Sequence, residues 1–167
     1  MVQNSEKKIP IVVGVSGHRL LRPQDLPALQ ASVRELLSSL LARCPQSPVV
    51  MLCSLAEGAD LLCADAAEEL GIPLIAALPL PREEYEKDFS SEGKRRLDYH
   101  CARAEQVFVT PWTEEADPKR KSRDDAFRQA GIYVSAHSHI LLALWDGKPG
   151  KHGCGTAEAV AFARSAR

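Results

Sequence analysis

The sequence has no long hydrophobic run. No apolar stretch in its 167 residues approaches the roughly 18 residues that a membrane-spanning helix needs, and the first eight residues are mostly polar. We therefore expect neither a transmembrane segment nor a signal peptide. The five cysteines are an odd number without C-x-x-C spacing, which fits free thiols better than a disulfide framework. Together these absences predict a cytoplasmic protein.

An excess of charge of one sign is also missing. The 21 Lys and Arg residues oppose 22 Asp and Glu, and aromatic residues make up only 5% of the chain. General nucleic-acid binding is therefore not expected, because a broad basic surface and a face of stacking rings are both lacking. Neither G-x-G-x-x-G after the first apolar run nor G-x-x-x-x-G-K-[ST] occurs, which argues against standard dinucleotide oxidoreductases and P-loop NTPases.

Short apolar runs alternate with helical patterns along the chain. The runs lie at 9–15, 49–54, 72–78, 106–110 and 138–146, with amphipathic spacing between them. Parallel strands need crossover helices, so this alternation predicts an α/β fold. We expect a Rossmann-like three-layer sandwich whose mainly parallel central sheet has about five or more strands and helices on both faces. Residues 1–167 are predicted to form a single domain, excised from a longer chain because a last helix at 156–167 has no following strand to cover.

One segment between these patterns is highly charged. Nine of the thirteen residues from Thr113 to Asp125 are acidic or basic. This composition predicts a solvated surface loop, and a lid over a ligand is the alternative.

Chemically distinctive residues follow several of the predicted strands. In an open parallel sheet, ligands bind beyond the carboxyl ends of the strands, so these residues should converge on one pocket. Arg82 and Tyr85 follow the third strand. The predicted ligand- and phosphate-binding residues are Ser16, Gly17, His18, Arg19, Glu57, Gly58, Asp60, Arg82, Asp146, Gly147, Gly153, Gly155, Thr156 and Glu158.

Two features of this set favour an anionic ligand. The Gly153-Cys-Gly-Thr156 turn opens a helix whose first N–H groups and partial positive charge suit a phosphate, although an ordinary helix entry has the same pattern. Arg19 suits bidentate recognition of phosphate, with an ion pair to Asp60 or Glu57 as the alternative. Gly14 and Gly17 would let the ligand approach the backbone, and His18 is either a hydrogen-bond donor to the ligand or a packed capping histidine.

The sequence contains no convincing metal or hydrolase motif. His100 with Cys101, and His137 with His139, lack further ligands at motif spacing, so neither a metal nor a required cofactor is predicted. Ser16 stands in no G-x-S-x-G elbow. Glu57, Asp60 and Glu158 are candidate general acids or bases, but a carboxylate at a helix start more often caps that helix.

With these motifs, the chain resembles the SLOG superfamily, the Rossmann-like group of the DprA/Smf, Lonely Guy and TRPM N-terminal domains. The matching pieces are Gly14-Val-Ser-Gly-His-Arg19, Leu55-Ala-Glu-Gly-Ala-Asp60, Leu78-Pro-Leu-Pro-Arg-Glu-Glu-Tyr85, Ile140-Leu-Leu-Ala-Leu-Trp-Asp-Gly147 and Gly153-Cys-Gly-Thr-Ala-Glu158. The resemblance implies a sensor that binds a nucleotide or nucleotide-derived small molecule. Such domains often serve signalling or bacterial defence, fused to an effector or membrane module, and homo-oligomers are compatible with this reading.

The same resemblance implies two alternatives. Gly153, Gly155 and Thr156 resemble the P-G-G-x-G-T-x-x-E signature of the Lonely Guy phosphoribohydrolases, which cleave the N-glycosidic bond of nucleoside monophosphates. However, Cys154 interrupts a shorter glycine pattern and Ala159 stands in place of the final Glu, which weakens the enzyme alternative more than the binding one. The DprA side of the resemblance implies single-stranded DNA binding, against which the balanced charge and scarce aromatics count.

Overall fold

A computed structural model of the chain describes residues 8–111, 122–148 and 155–165. Within these ranges, each predicted apolar run contributes a strand. The strands are β1 (Ile11–Gly17), β2 (Val49–Cys53), β3 (Leu74–Leu78), β4 (Gln106–Val109) and β5 (Ile140–Leu144). The helices are α1 (Leu26–Arg43), α2 (Ala59–Glu69), α3 (Arg82–Tyr85), α4 (Ser91–Arg103), α5 (Arg123–Ala136) and α6 (Thr156–Ser165).

The five strands form one sheet in the order β4-β3-β2-β1-β5, and every neighbouring pair is parallel. In register, Val13 of β1 lies between Met51 of β2 and Ile140 of β5. The chain thus moves outward from β1 to β4 and then returns to the opposite side of β1 for β5. Strand order therefore reverses between β1 and β5, where an open α/β sheet leaves a crevice for ligands.

Alternate side chains of the strands pack into two helical layers. Val13 and Met51 belong to a large core with α1, α2 and α4, in which Leu37 and Leu97 are fully buried. On the opposite face, Leu52 and Ala77 pack with Val134 of α5. The two layers follow from the twofold alternation of a strand. The predicted Rossmann-like α/β sandwich with helices on both faces is confirmed.

Two predicted loops are partly regular structure. β1 continues through Gly17, so of the four residues expected to follow the first strand, Ser16 to Arg19, only His18 and Arg19 leave the sheet. The charged segment ends earlier than predicted, because α5 begins at Arg123. Ser122 and Asp125 form a capping box there, which satisfies backbone donors at the start of the helix. Residues 112–121 lie outside the described residues.

Across the described ranges, no helix is both long enough and apolar enough to cross a membrane.

Candidate functional site

A cleft of about 300 Å³ lies beyond the carboxyl ends of β1, β2 and β3, beside α5 and the start of α6. Six predicted site residues line it: Ser16, Gly17, Arg19, Asp60, Gly155 and Thr156. The other lining residues are Val15, Ser54, Ala56, Pro79, Tyr85, Asp124, Phe127, Ala130, Gly131 and Val134. Both ends of the described chain therefore contribute to one concave site.

The start of α6 forms part of this cleft. Gly155 has a φ of +120°, a conformation that favours glycine, and Thr156 immediately follows it as the first helical residue. Thr156 is buried. A ligand in the cleft would meet the partial positive charge of a helix N-terminus.

Arg19 is anchored to another part of the protein at the edge of the cleft. Its Nη2 donates to the backbone carbonyl of Asp88 at 2.8 Å and lies 4.0 Å from Oε2 of Glu57. Its guanidinium carbon is 5.5 Å from the centre of the Phe89 ring. The side chain remains 39% exposed. Because a guanidinium has five N–H donors, this anchoring leaves donors for a ligand.

Asp60 is a buried carboxylate in the cleft and is 5% exposed. Its Oδ2 accepts hydrogen bonds from the backbone N–H groups of Ser54 at 3.1 Å and Ala56 at 3.3 Å. These bonds brace a turn in which buried Leu55 adopts a φ of +57°, an unfavourable conformation for a non-glycine residue. Burial raises the pKa of Asp60 from 3.8 to about 7, and the two N–H donors and the charge of Arg19 only partly offset this effect.

Tyr85 joins the cleft to two aromatic neighbours. Its ring meets Phe89 edge-on, with centroids 4.9 Å apart, and lies 5.9 Å from Phe127 of α5. The residue is 0% exposed. Its hydroxyl has no hydrogen-bond partner among the described residues, and burial raises its pKa well above the usual value. A buried hydroxyl without a partner is uncommon in folded proteins.

Two predicted glycines allow close packing of the protein on itself. A Cβ at Gly58, whose φ is +88°, would overlap the backbone carbonyl of Arg19. A Cβ at Gly17 would overlap Ala59 and would stand 2.9 Å from the carbonyl oxygen of Leu144. These glycines bring the end of β1 against the start of α2. That packing accounts for both glycines without a ligand, although Gly17 also lines the cleft. Gly14 likewise packs closely, against Ser138 and Val134.

Glu57 bonds the residue that caps a neighbouring helix, and it does not line the cleft. It accepts hydrogen bonds from the backbone N–H and hydroxyl of Ser90, the residue that precedes α4. A side chain at Gly93 would collide with the Glu57 carboxylate. Ser90 is the N-cap residue of α4, so Glu57 holds the start of α4 and does not cap the helix that follows it in sequence.

His18 and Asp146 pair with each other outside the lining of the cleft. Nε2 of His18 lies 3.1 Å from Oδ1 of Asp146. The pKa of Asp146 is lowered first by the backbone N–H of Lys148 and then by His18. The contact joins the end of β1 to the end of β5.

The remaining predicted site residues also lie outside the cleft lining. Arg82 forms an ion pair with Asp98 of α4. Oε1 of Glu158 lies 3.3 Å from Nε of Arg128 in α5. Gly147 occupies a turn with φ +82° and nothing close to its Cβ position, and Gly153 lies outside the described residues.

The structure offers no cluster for a metal within the described ranges: no three His, Cys, Asp or Glu side chains gather suitably. His100 contacts Asp65 at 2.8 Å, His139 accepts from the N–H of Val12 at 3.0 Å, and His137 contacts the carbonyl of Tyr133 at 2.8 Å. These histidines are therefore engaged with protein groups.

Several lining residues were missed as members of the predicted site. Ser54, Ala56 and Pro79 directly follow β2 and β3, so the strand-end rule could have included them. The contribution of α5 had no comparable signal, because Phe127 and Ala130 read as ordinary residues of a buried helix face.

These observations define a Rossmann-like parallel α/β domain with a cleft at the ends of its strands. No family model and no curated protein matches the chain. Among solved structures, it is similar to DNA processing protein A (DprA) from Streptococcus pneumoniae, with a TM-score of 0.59 and 16% sequence identity. The match covers 94% of this chain and 47% of that one, so this chain spans about half the length of DprA. The likeness supports the fold that the SLOG resemblance implies.

Proposed function

We propose that the cleft binds a nucleotide or nucleotide-derived small molecule and that the domain acts as a sensor of this ligand. The observation that carries the proposal is the shared lining of one cleft by Ser16, Arg19 and the Gly155-Thr156 start of α6. These residues lie near opposite ends of the sequence and include the donors that a phosphate requires.

The donors are chemically suited to an anion. Arg19 keeps N–H groups beyond the one given to Asp88, and α6 presents first-turn N–H groups together with its dipole. Hydroxyl groups of Ser16 and Thr156 add neutral donors. Asp124 and Asp60 would repel a phosphate, because they carry charge of the same sign. We therefore place the phosphate at Arg19 and the start of α6, and the uncharged part of the ligand farther into the cleft.

Binding is favoured over hydrolysis because two of the three carboxylates considered for catalysis are engaged elsewhere. Glu57 bonds Ser90, the N-cap residue of α4, and Glu158 pairs with Arg128. Neither lines the cleft. Asp60 is the one of the three that lines the cleft, and its Oδ2 already accepts hydrogen bonds from the backbone N–H groups of Ser54 and Ala56.

Single-stranded DNA is the second candidate ligand, since the similar solved structure is named DNA processing protein A. Non-specific binding of single strands usually relies on exposed aromatic rings that stack with bases. Among the described residues, Tyr99 is the exposed aromatic residue, and Arg103 covers its ring. The described surface therefore favours a small nucleotide.

The experiment is thermal unfolding with ADP-ribose, NAD, AMP, ATP and cyclic oligonucleotides, followed by titration calorimetry of any stabilising compound. A ligand at 100 times its Kd stabilises the native state by about 2.7 kcal/mol. For a chain of this size, that gain raises Tm by about 5–10 °C. Absence of a shift with every compound at millimolar concentration would refute nucleotide binding. A gel shift with oligothymidylate at low salt tests the DNA alternative.

Arg19→Ala identifies the site of binding. We expect at least a tenfold loss of affinity, because a charge-assisted contact to phosphate disappears. The matched control is Arg34→Ala, which removes an arginine paired with Glu69 on the helical surface. The comparison uses the ligand-induced shift of each variant, because Arg19→Ala also removes the contact to Asp88. Equal shifts in both variants would place the ligand elsewhere.

A further inference from the structure

The proposed phosphate subsite does not use two buried polar groups of the cleft. Asp60 and Tyr85 are 5% and 0% exposed, and both line the cleft. The Tyr85 hydroxyl has no partner among the residues that the structure describes. Both hydrogen bonds to the Asp60 carboxylate reach Oδ2, so Oδ1 takes part in neither. The cleft thus holds a phenol group without a partner in the described protein, and a carboxylate with one oxygen outside those two bonds.

The two groups lie in one electrostatic environment. Asp60 and Tyr85 line the same cleft, and the charge of Asp60 raises the pKa of the Tyr85 phenol after the larger effect of burial. No direct hydrogen bond joins them. A group between them would need to donate to a carboxylate and also exchange a hydrogen bond with a phenol.

We infer that this pair recognises the sugar hydroxyls of the ligand, so that the cleft selects ribonucleotides over deoxyribonucleotides. The inference rests on the proposed nucleotide function. A hydroxyl both donates and accepts, and the adjacent hydroxyls of ribose present two such groups on one rigid ring. Asp60 accepts a hydrogen bond from one hydroxyl, and Tyr85 hydrogen-bonds to the same or the neighbouring oxygen.

Discrimination follows from the cost of leaving buried groups unpaired. A sugar without the 2′-hydroxyl would enter the cleft but leave a buried carboxylate or phenol without its partner. A purely structural role makes a different prediction. If Asp60 only braces the Ser54–Ala56 turn and Tyr85 only fills space, then ribose and deoxyribose would bind alike.

The experiment measures Kd by titration calorimetry for AMP, GMP, CMP and UMP against their 2′-deoxy counterparts. In the wild-type protein, we expect the best-binding ribonucleotide to bind about 10- to 100-fold more tightly than its 2′-deoxy form, the usual effect of one hydrogen bond to a charged group. This comparison requires no variant to fold. Equal Kd values would overturn the inference while leaving nucleotide binding intact, whereas no binding by these compounds or by any of the panel used for thermal unfolding would remove the proposed function and the inference together.

Two variants then assign the discrimination to the pair. Asp60→Asn retains a carbonyl oxygen for the two backbone donors, and Tyr85→Phe removes a hydroxyl that has no partner in the described protein. Each should lower ribonucleotide affinity about tenfold or more and leave deoxyribonucleotide affinity within about threefold. Matched controls are Asp25→Asn and Tyr99→Phe, which change residues outside the cleft. If the ribose preference survives in both cleft variants, then Asp60 and Tyr85 do not read the sugar.

Discussion

Replacing Asp60 with asparagine should change the pH dependence of stability. Burial raises the pKa of Asp60 from 3.8 to about 7 in the folded protein. The folded state therefore binds this proton more tightly than the unfolded state does. The contribution of Asp60 is fully present below about pH 4, decreases as pH rises, and is lost above pH 7. Asparagine cannot ionise, so Asp60→Asn abolishes this loss.

The size of the effect follows from the two pKa values. One pKa unit corresponds to about 1.4 kcal/mol, so ionisation of Asp60 costs the wild-type protein about 4 kcal/mol between pH 4 and pH 8. The ionisable neighbours are Arg19, Cys53, Cys63 and Tyr85. Burial raises the pKa values of the two cysteines and of Tyr85, so Asp60 is the member of this group that titrates in the range.

Urea unfolding of both proteins at pH 4.5, 6 and 8 measures this difference. The free energy of unfolding of Asp60→Asn should be close to that of the wild type at pH 4.5 and exceed it by several kcal/mol at pH 8. Groups elsewhere titrate equally in both proteins and cancel in the difference. Asp25→Asn, at a partly exposed residue paired with Arg22, is the matched control. A constant difference for Asp60→Asn would refute the reasoning.

Three further changes test other parts of the site by chemical or thermal denaturation. Gly58→Ala should lower the free energy of unfolding by about 2 kcal/mol or more, because φ at this residue is +88° and the new Cβ overlaps the carbonyl of Arg19. A variant as stable as the wild type would contradict that packing. Glu57→Ala should lower the free energy of unfolding by about 1–2 kcal/mol, because Ser90, the N-cap residue of α4, loses the carboxylate that its N–H and hydroxyl bond, whereas Glu69→Ala, in a surface ion pair, should lower it by less than about 1 kcal/mol; equal losses would deny this contribution of Glu57. Tyr85→Phe should gain about 1 kcal/mol in the unliganded protein, raising Tm by about 2–4 °C, because it removes an unpaired buried hydroxyl. Tyr99→Phe, at an exposed position, supplies the comparison, and a destabilised Tyr85→Phe would mean that the hydroxyl has a partner.

The strand-end rule located the cleft but did not determine its membership. Ser16, Arg19 and Asp60 line it as predicted, whereas His18, which neighbours Arg19 in sequence, pairs with Asp146 outside it. Glu57 precedes Asp60 by three residues yet reaches Ser90. Adjacent residues of a loop point in different directions, and the direction depends on which distant element packs there. A single sequence contains no local signal for that choice.

The amino-acid sequence by itself determined the α/β class of this protein. The β-branched composition of the short apolar runs and the amphipathic spacing between them are local properties of the sequence. Together they predict parallel strands connected by helices. Only the tertiary structure decided that β5 returns beside β1 and that α5 places Phe127 against Tyr85. Those contacts join residues far apart in sequence, and they depend on packing between whole elements. The same packing buries Asp60 and leaves the Tyr85 hydroxyl without a partner among the described residues, so the chemical character of the cleft arises from the assembled fold.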